Sequence, residues 1–228
     1  FVLFTNKIKS DIIIINKLSI FKRSLLRRHK MKVSQRLFEC VKDIWDGYNK
    51  HPFVCELSSG KLPIEKFRFY MIQDHLYLME YAKLFAIGLV KSHSEKDLRM
   101  FASLITATID TENAVHREYL KRLGITREMI DSSKMGIVNE SYTNYMLSVG
   151  FKDGLAEIAT AVLSCSWSYK YIGDYVKITG NLENNPYIEW IDEYSSAEYS
   201  AANDEIINFI DAVTENYTEK QIKYLEEI

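Results

Sequence analysis

The sequence predicts an all-α protein, a bundle of long helices joined by short loops. Three observations lead there. Only 9 glycines and 3 prolines occur in 228 residues, too few for the frequent turns that strands demand. Apolar residues make up 47% of the chain, enough to fill a core. From Val33 onward they recur at spacings of three and four, the period of one helix face. No internal repeat of 20–50 residues is visible, which sets solenoids aside.

In chain order, the first helix starts at Val33, with Leu37, Val41, Ile44, Trp45 and Tyr48 as its buried stripe. His51-Pro52 stops it, because a residue before proline avoids the α region. SSGKLP (58–63) reads as a turn, with Pro63 in the first turn of a second helix over 63–91. Ser94 and Asp97 resemble a capping box that opens a third helix, expected to reach 123 before Gly124 stops it. A short helix follows over 126–132. Asn139 or Ser141 caps the next, ended by Gly150, and a fifth long helix covers 152–178. Pro186 opens a sixth to about 197, another starts near Ala201, and Thr218 caps the last. The charge-rich stretch 215–228 reads as a solvated helix face.

The formal net charge of −2 conceals an asymmetry. Residues 1–30 hold eight Lys or Arg and one acid, Asp11, so they carry +7 and the remainder carries −9. An acidic body argues against nucleic-acid binding. Three origins fit the basic stretch: upstream DNA translated ahead of a true start at Met31, an organelle targeting segment, or a basic arm. In each case 1–30 is expected outside the fold, and 31–228 is expected to be a single domain. No run of 18 apolar residues exists, so no membrane span is predicted. Cys40, Cys55 and Cys165 are too few and too scattered for a disulfide framework and form no CxxC pair. A reducing compartment, the cytoplasm, is the expectation.

Two constellations can carry chemistry. Tyr70, Asp74, Tyr77 and Tyr81 share one helix face, which puts a carboxylate in a stripe of phenols. Asp74 is a site residue, one end of a salt bridge or part of an exposed face, since an acid in an apolar stripe is costly unless paired. Cys165 and Tyr169 lie four apart on a very apolar helix, between Ser164 and Ser166. Cys165 is either an inert core thiol or part of a cavity that those serines mark. Glu112 and His116 share a face once, where a carboxylate-bridged iron centre uses Glu-x-x-His twice. A hydrogen-bonded pair is therefore expected there, with no metal and no cofactor. No P-loop, GxGxxG, HExxH or GxSxG motif is present.

Taken together these residues resemble the thiaminase II (TenA) family. The likeness rests on His51-Pro52-Phe53-Val54, Gly60, Leu62-Pro63, Phe67, Tyr70, Gln73-Asp74 and Tyr77-Leu78. It continues through Glu112 with His116-Arg117-Glu118, Ser141-Tyr142-Thr143, Cys165-x-Trp167-x-Tyr169, Ile172-Gly173, Trp190-Ile191 and Tyr194. The resemblance implies a haem-oxygenase-like all-α fold, a homotetramer, and hydrolysis of aminopyrimidines or, less efficiently, thiamin. It implies that Asp74 binds the amidine edge of the pyrimidine and that Cys165 is the nucleophile. Tyr77, Tyr142, Tyr169 and Tyr194 match the aromatic pocket. Ser164 stands where the family often has proline. The likeness runs out at Glu226-Glu227-Ile228, ahead of a helix that carries the family's proton-transferring glutamate, so the domain is expected to be C-terminally incomplete. Two alternatives accompany this reading: a non-catalytic pyrimidine-binding or regulatory protein, and a di-metal oxidase on the related scaffold.

Overall fold

The computed structural model describes residues 31–112 and 120–228, with the backbone alone for 110–112. The expectation for residues 1–30 and the Glu112–His116 pair lie outside the described residues or side chains.

The described chain is helical throughout, with no strand. Its helices are α1 (Val33–Tyr48), α2 (Pro52–Ser58), α3 (Ile64–Lys91), α4 (Glu95–Thr106), α5 (Arg127–Ser132), α6 (Ile137–Lys152), α7 (Leu155–Thr179), α8 (Ile188–Tyr194), α9 (Ala197–Val213) and α10 (Glu219–Glu227). A π-helical turn, Ala107–Glu112, continues α4. Side-chain caps start several of these helices. Ser94 accepts from the Asp97 N–H at 3.1 Å, Ser196 from Tyr199 at 2.9 Å and Thr218 from Gln221 at 3.4 Å. Each satisfies one of the orphan donors of a helix N-terminus.

Two long helices, α3 and α7, form the spine and run antiparallel. Tyr169 on α7 donates to Asp74 on α3, and seven residues further along α3 the Tyr81 hydroxyl donates to the Val162 carbonyl at 3.1 Å. The first half of α7 is buried all round, from Ala156 to Leu163, as expected of a helix that is apolar on every face. One core cluster gathers α1, α4, α6, α9 and α10 around the Tyr77–Phe85 half of α3. A second gathers α2, α5 and α8 around its Phe67–Met71 half.

Several sequence expectations need correction. On α1, Leu37 and Trp45 are buried, but Ile44 is 58% exposed and Tyr48 is exposed too. The buried face there is shared with Ser34 and Arg36, polar residues satisfied by Asp211, Glu219 and Glu226. Gly150 does not end α6. It lies inside the helix, where a Cβ would come within 2.7 Å of Leu84, so it is a close-packing residue. The first helix stops before His51-Pro52 as expected, and the stretch 52–58, given no element above, is helical, with His51 Nδ1 accepting from Phe53 N–H at 3.2 Å. Pro186 sits in the turn before α8, because Asn185 Oδ1 accepts from Tyr187 N–H and delays the helix start. The following helix begins at Ala197 under its Ser196 cap, ahead of position 201. The tail is more than a solvated face: Leu225 is buried.

Candidate active site

A cavity of about 260 Å³ opens between α3, α7, α8, α9 and the π-helical turn. Its α3 wall is Asp74, Tyr77, Leu78, Tyr81 and Phe85. Helical spacing dictates this, because positions 74, 77, 78, 81 and 85 fall on one stripe. Cys165, Ser166 and Tyr169 face it from α7, Glu193 and Tyr194 from α8, and Glu198, Tyr199, Ala202, Asn203 and Ile206 from α9. Ala107 and Thr108 of the π-helical turn close one side. The wider π-helical turn is a distortion often met beside functional sites.

Asp74 is buried at one end of this cavity. Its Oδ1 accepts from the Tyr169 hydroxyl at 3.3 Å. Tyr169 in turn accepts from Tyr70 at 3.4 Å, and Tyr70 accepts from the Trp190 indole N–H at 3.0 Å. Burial, and then the charge of Asp74, hold both the Tyr70 and Tyr169 phenols well above their ordinary value. These hydroxyls therefore remain donors toward the carboxylate. Tyr194 packs on Tyr169 with ring centroids 4.7 Å apart. That contact depends on Gly173, where a Cβ would stand 2.7 Å from the Tyr194 backbone. The α7–α8 approach is possible only without a side chain at 173.

Cys165 is half-buried on the same wall. Tyr77 lies against it, and burial followed by the Cys165 charge raises the Tyr77 phenol well above its ordinary value. Tyr142 stands behind Tyr77, not on the cavity wall. Its ring is parallel to that of Tyr77 within 8° at 6.0 Å, and its hydroxyl bonds Ser164 Oγ at 2.7 Å. Ser164 thus anchors the tyrosine that backs Tyr77. Burial first, then the Cys165 charge, raises the Tyr142 phenol as well.

The cavity therefore gathers Asp74, Tyr77, Cys165, Tyr169 and Tyr194, five of the six residues singled out in the sequence, with Tyr142 supporting Tyr77. Glu193, Glu198, Tyr199 and Asn203 were not anticipated. Their signal was present in the Ser196 cap, which starts α9 early enough to put 198, 199, 202, 203 and 206 on one face. The carboxyls of Glu193 and Glu198 face the same space. Burial, and then the Glu198 charge, raise the Glu193 carboxyl. No Lys, Arg or His is among the described residues lining the cavity, so its field favours neutral or cationic ligands. Among the described residues, no cluster of three His, Cys, Asp or Glu is placed to hold a metal ion, and no helix is long and apolar enough to cross a membrane.

Known proteins share both the sequence pattern and the fold of this chain. The sequence profile of the TENA/THI-4/PQQC family matches residues 39–228. An aminopyrimidine aminohydrolase of Helicobacter pylori is 41% identical over 199 residues, covering 87% of this chain and 92% of its own. One from Halalkalibacterium halodurans is 38% identical, covering 87% and 89%. Among solved structures, a TenA homologue protein from P. horikoshii OT3 superposes with a TM-score of 0.79 at 30% identity, covering 86% of this chain and 91% of its own. The bundle thus has the haem-oxygenase-like fold of those structures.

Proposed function

Because this chain belongs to the TENA/THI-4/PQQC family, we propose that it is a hydrolase of thiamin-related aminopyrimidines, with Cys165 as nucleophile and Asp74 as the residue that orients the ring. The observation that carries this reading is the single cavity shared by a buried carboxylate and a thiol, walled by tyrosines.

The chemistry follows from the side chains. A carboxylate only accepts hydrogen bonds, so Asp74 suits the N–H donors of an aminopyrimidine's amidine edge. Tyr169, donating to Oδ1, holds the carboxyl group in place. Tyr194 and Tyr77 bound the flat space that a ring fills. The Cys165 thiolate adds to the electron-poor ring, which pushes electrons toward the exocyclic methylene and expels the amine. Water then adds at the methylene carbon and the thiol is released. Overall a C–N bond is replaced by a C–O bond, and a proton passes from water to the departing amine.

The same reading takes the protein as a homotetramer, as the family resemblance implies, in the reducing cytoplasm that its scattered cysteines suit. Phe69, 65% exposed, lies beside Phe53 and Tyr48 in an apolar groove outside the cavity, a face that subunit contact would cover.

The test is ammonia release from aminomethyl-pyrimidine. Cys165→Ala is expected to lower kcat by at least about 10³-fold, as loss of a nucleophile does. Asp74→Asn is expected to raise KM and lower kcat/KM by about 10²-fold, because one acceptor becomes a donor against the ring edge. Full turnover by Cys165→Ala would end the mechanism. Pyrimidine binding without ammonia release by the unaltered protein would favour a non-catalytic role.

A further inference from the structure

Cys165 sits at the head of a run of hydroxyls, and one of them is fixed in direction. Ser164 Oγ donates to the Ala161 carbonyl at 2.8 Å and shares a 2.7 Å hydrogen bond with the Tyr142 hydroxyl. A serine has one hydrogen to give, and a carbonyl can only accept. Both bonds form together only if Tyr142 is the donor to Ser164. The Tyr142 hydrogen therefore points away from Tyr77, and Tyr142 meets Tyr77 as an acceptor.

Tyr77 is the next link. Its hydroxyl is a hydrogen-bond partner of both Cys165 and Tyr142, and its ring lies parallel to that of Tyr142. Met146 Sδ, at 3.9 Å, is a weaker acceptor for it. With Tyr142 accepting, a single sense connects the whole run. The thiol gives to Tyr77, Tyr77 to Tyr142, Tyr142 to Ser164 and Ser164 to the Ala161 carbonyl. Bonds that all run one way polarise one another and gain strength. A thiolate reverses the first link, because it has no hydrogen and draws one from Tyr77. Tyr142 is then left without a donor, and the ordered run is broken.

We propose that Ser164 is a positioning residue that keeps Cys165 a thiol in the empty cavity, by fixing the direction of the hydroxyls that lead away from it. This deepens the function proposed above, since it assigns the resting state of the nucleophile named there, but it is read without substrate. None of the other titratable groups facing Cys165 is basic. They are the carboxyls of Asp74 on α3, Glu193 on α8 and Glu198 on α9, and the phenols of Tyr81, Tyr169, Tyr194 and Tyr199. Tyr48 of α1 lies near Tyr142. No cation among the described lining residues favours the thiolate. A thiol is alkylated and oxidised far more slowly than its thiolate, so the ordered run shields the sulfur of an unoccupied site.

The test is the pH profile of iodoacetamide alkylation in the ligand-free protein. Mass spectrometry of the peptide carrying Cys165 separates it from the exposed Cys40 and Cys55. Ser164→Ala frees the Tyr142 hydrogen to turn toward Tyr77, so that the run points at the sulfur. Its alkylation midpoint is expected to fall by about 0.5–1 pH unit, the size of one redirected hydrogen bond. Ser164→Thr keeps the hydroxyl and is expected to keep the midpoint. Tyr142→Phe removes the acceptor that competes for the Tyr77 hydrogen and is expected to lower the midpoint on its own, which decides the matter should Ser164→Ala fail to fold. Adding Ser164→Ala to Tyr142→Phe is expected to change nothing further. An unchanged or raised midpoint in either single variant overturns the assignment. So does a fall in Ser164→Thr that matches Ser164→Ala. A full further fall in the double variant overturns it too, because Ser164 would then act on the thiol without Tyr142. Hydrolysis is measured apart: a protein that shows these shifts yet releases no ammonia loses the proposed function and keeps the role of Ser164.

Discussion

Glu193 shows how a single carboxyl at the cavity couples the site to stability. Burial and the neighbouring Glu198 raise it above its ordinary value, so the folded state holds its proton more tightly than the unfolded chain. The resulting stabilisation is full below the ordinary carboxylate range and is lost as pH rises through the raised value. Glu193→Gln removes the ionisation. Its melting temperature is expected to exceed that of the unaltered protein by about 1–2 °C at pH 7, a small gain because the group is partly solvated. The gain is expected to vanish near pH 4. Thermal melts at the two pH values check this, and an equal gain at both would exclude ionisation as the cause. Cys40 shows the same dependence on surroundings in another way: it lies on a helix with core-like spacing, yet it is exposed. Periodicity identifies a face, but only the neighbouring elements decide whether that face is covered.

At the scale of elements, close approach of α7 and α8 sets the aromatic wall. Gly173→Ala would drive a Cβ to 2.7 Å from the Tyr194 carbonyl, against backbone that cannot rotate aside. A loss of about 1–3 kcal/mol is expected in urea unfolding, with a several-fold rise in KM as Tyr194 shifts. A variant of unchanged stability would show that α8 yields. The long helices were legible because α3 and α7 are long, apolar and bounded by Pro63 and Gly180. So were the catalytic candidates on them, which share faces with the core stripe. The far wall was not. Its placement hangs on the Asn185 turn and the Ser196 cap, local hydrogen bonds that move a helix start by several residues without altering the apolar pattern. Glu198 and Asn203 came into the site through that displacement.

Across the whole molecule, one buried cation ties the first described helix to the last. Arg36 sends two parallel hydrogen bonds to Glu219, at 2.7 and 2.8 Å, and one to Glu226 at 2.9 Å. Ser34 binds Asp211 beside it. Arg36→Met leaves Glu226 half-enclosed without its counter-ion and is expected to cost about 3 kcal/mol in chemical denaturation. Arg36→Lys is expected to recover only part of that, because an ammonium cannot reproduce the planar fork; full recovery would reduce the contact to simple charge. The Trp190–Tyr70–Tyr169–Asp74 chain works at the same range, crossing three helices. An indole nitrogen can only give a hydrogen, and an ionised carboxylate can only take one. The two ends therefore sort every hydroxyl between them into one sense, and no second arrangement is available without breaking a link. The cavity meets its ligand with its polarity already written, dictated from Trp190 on a separate helix.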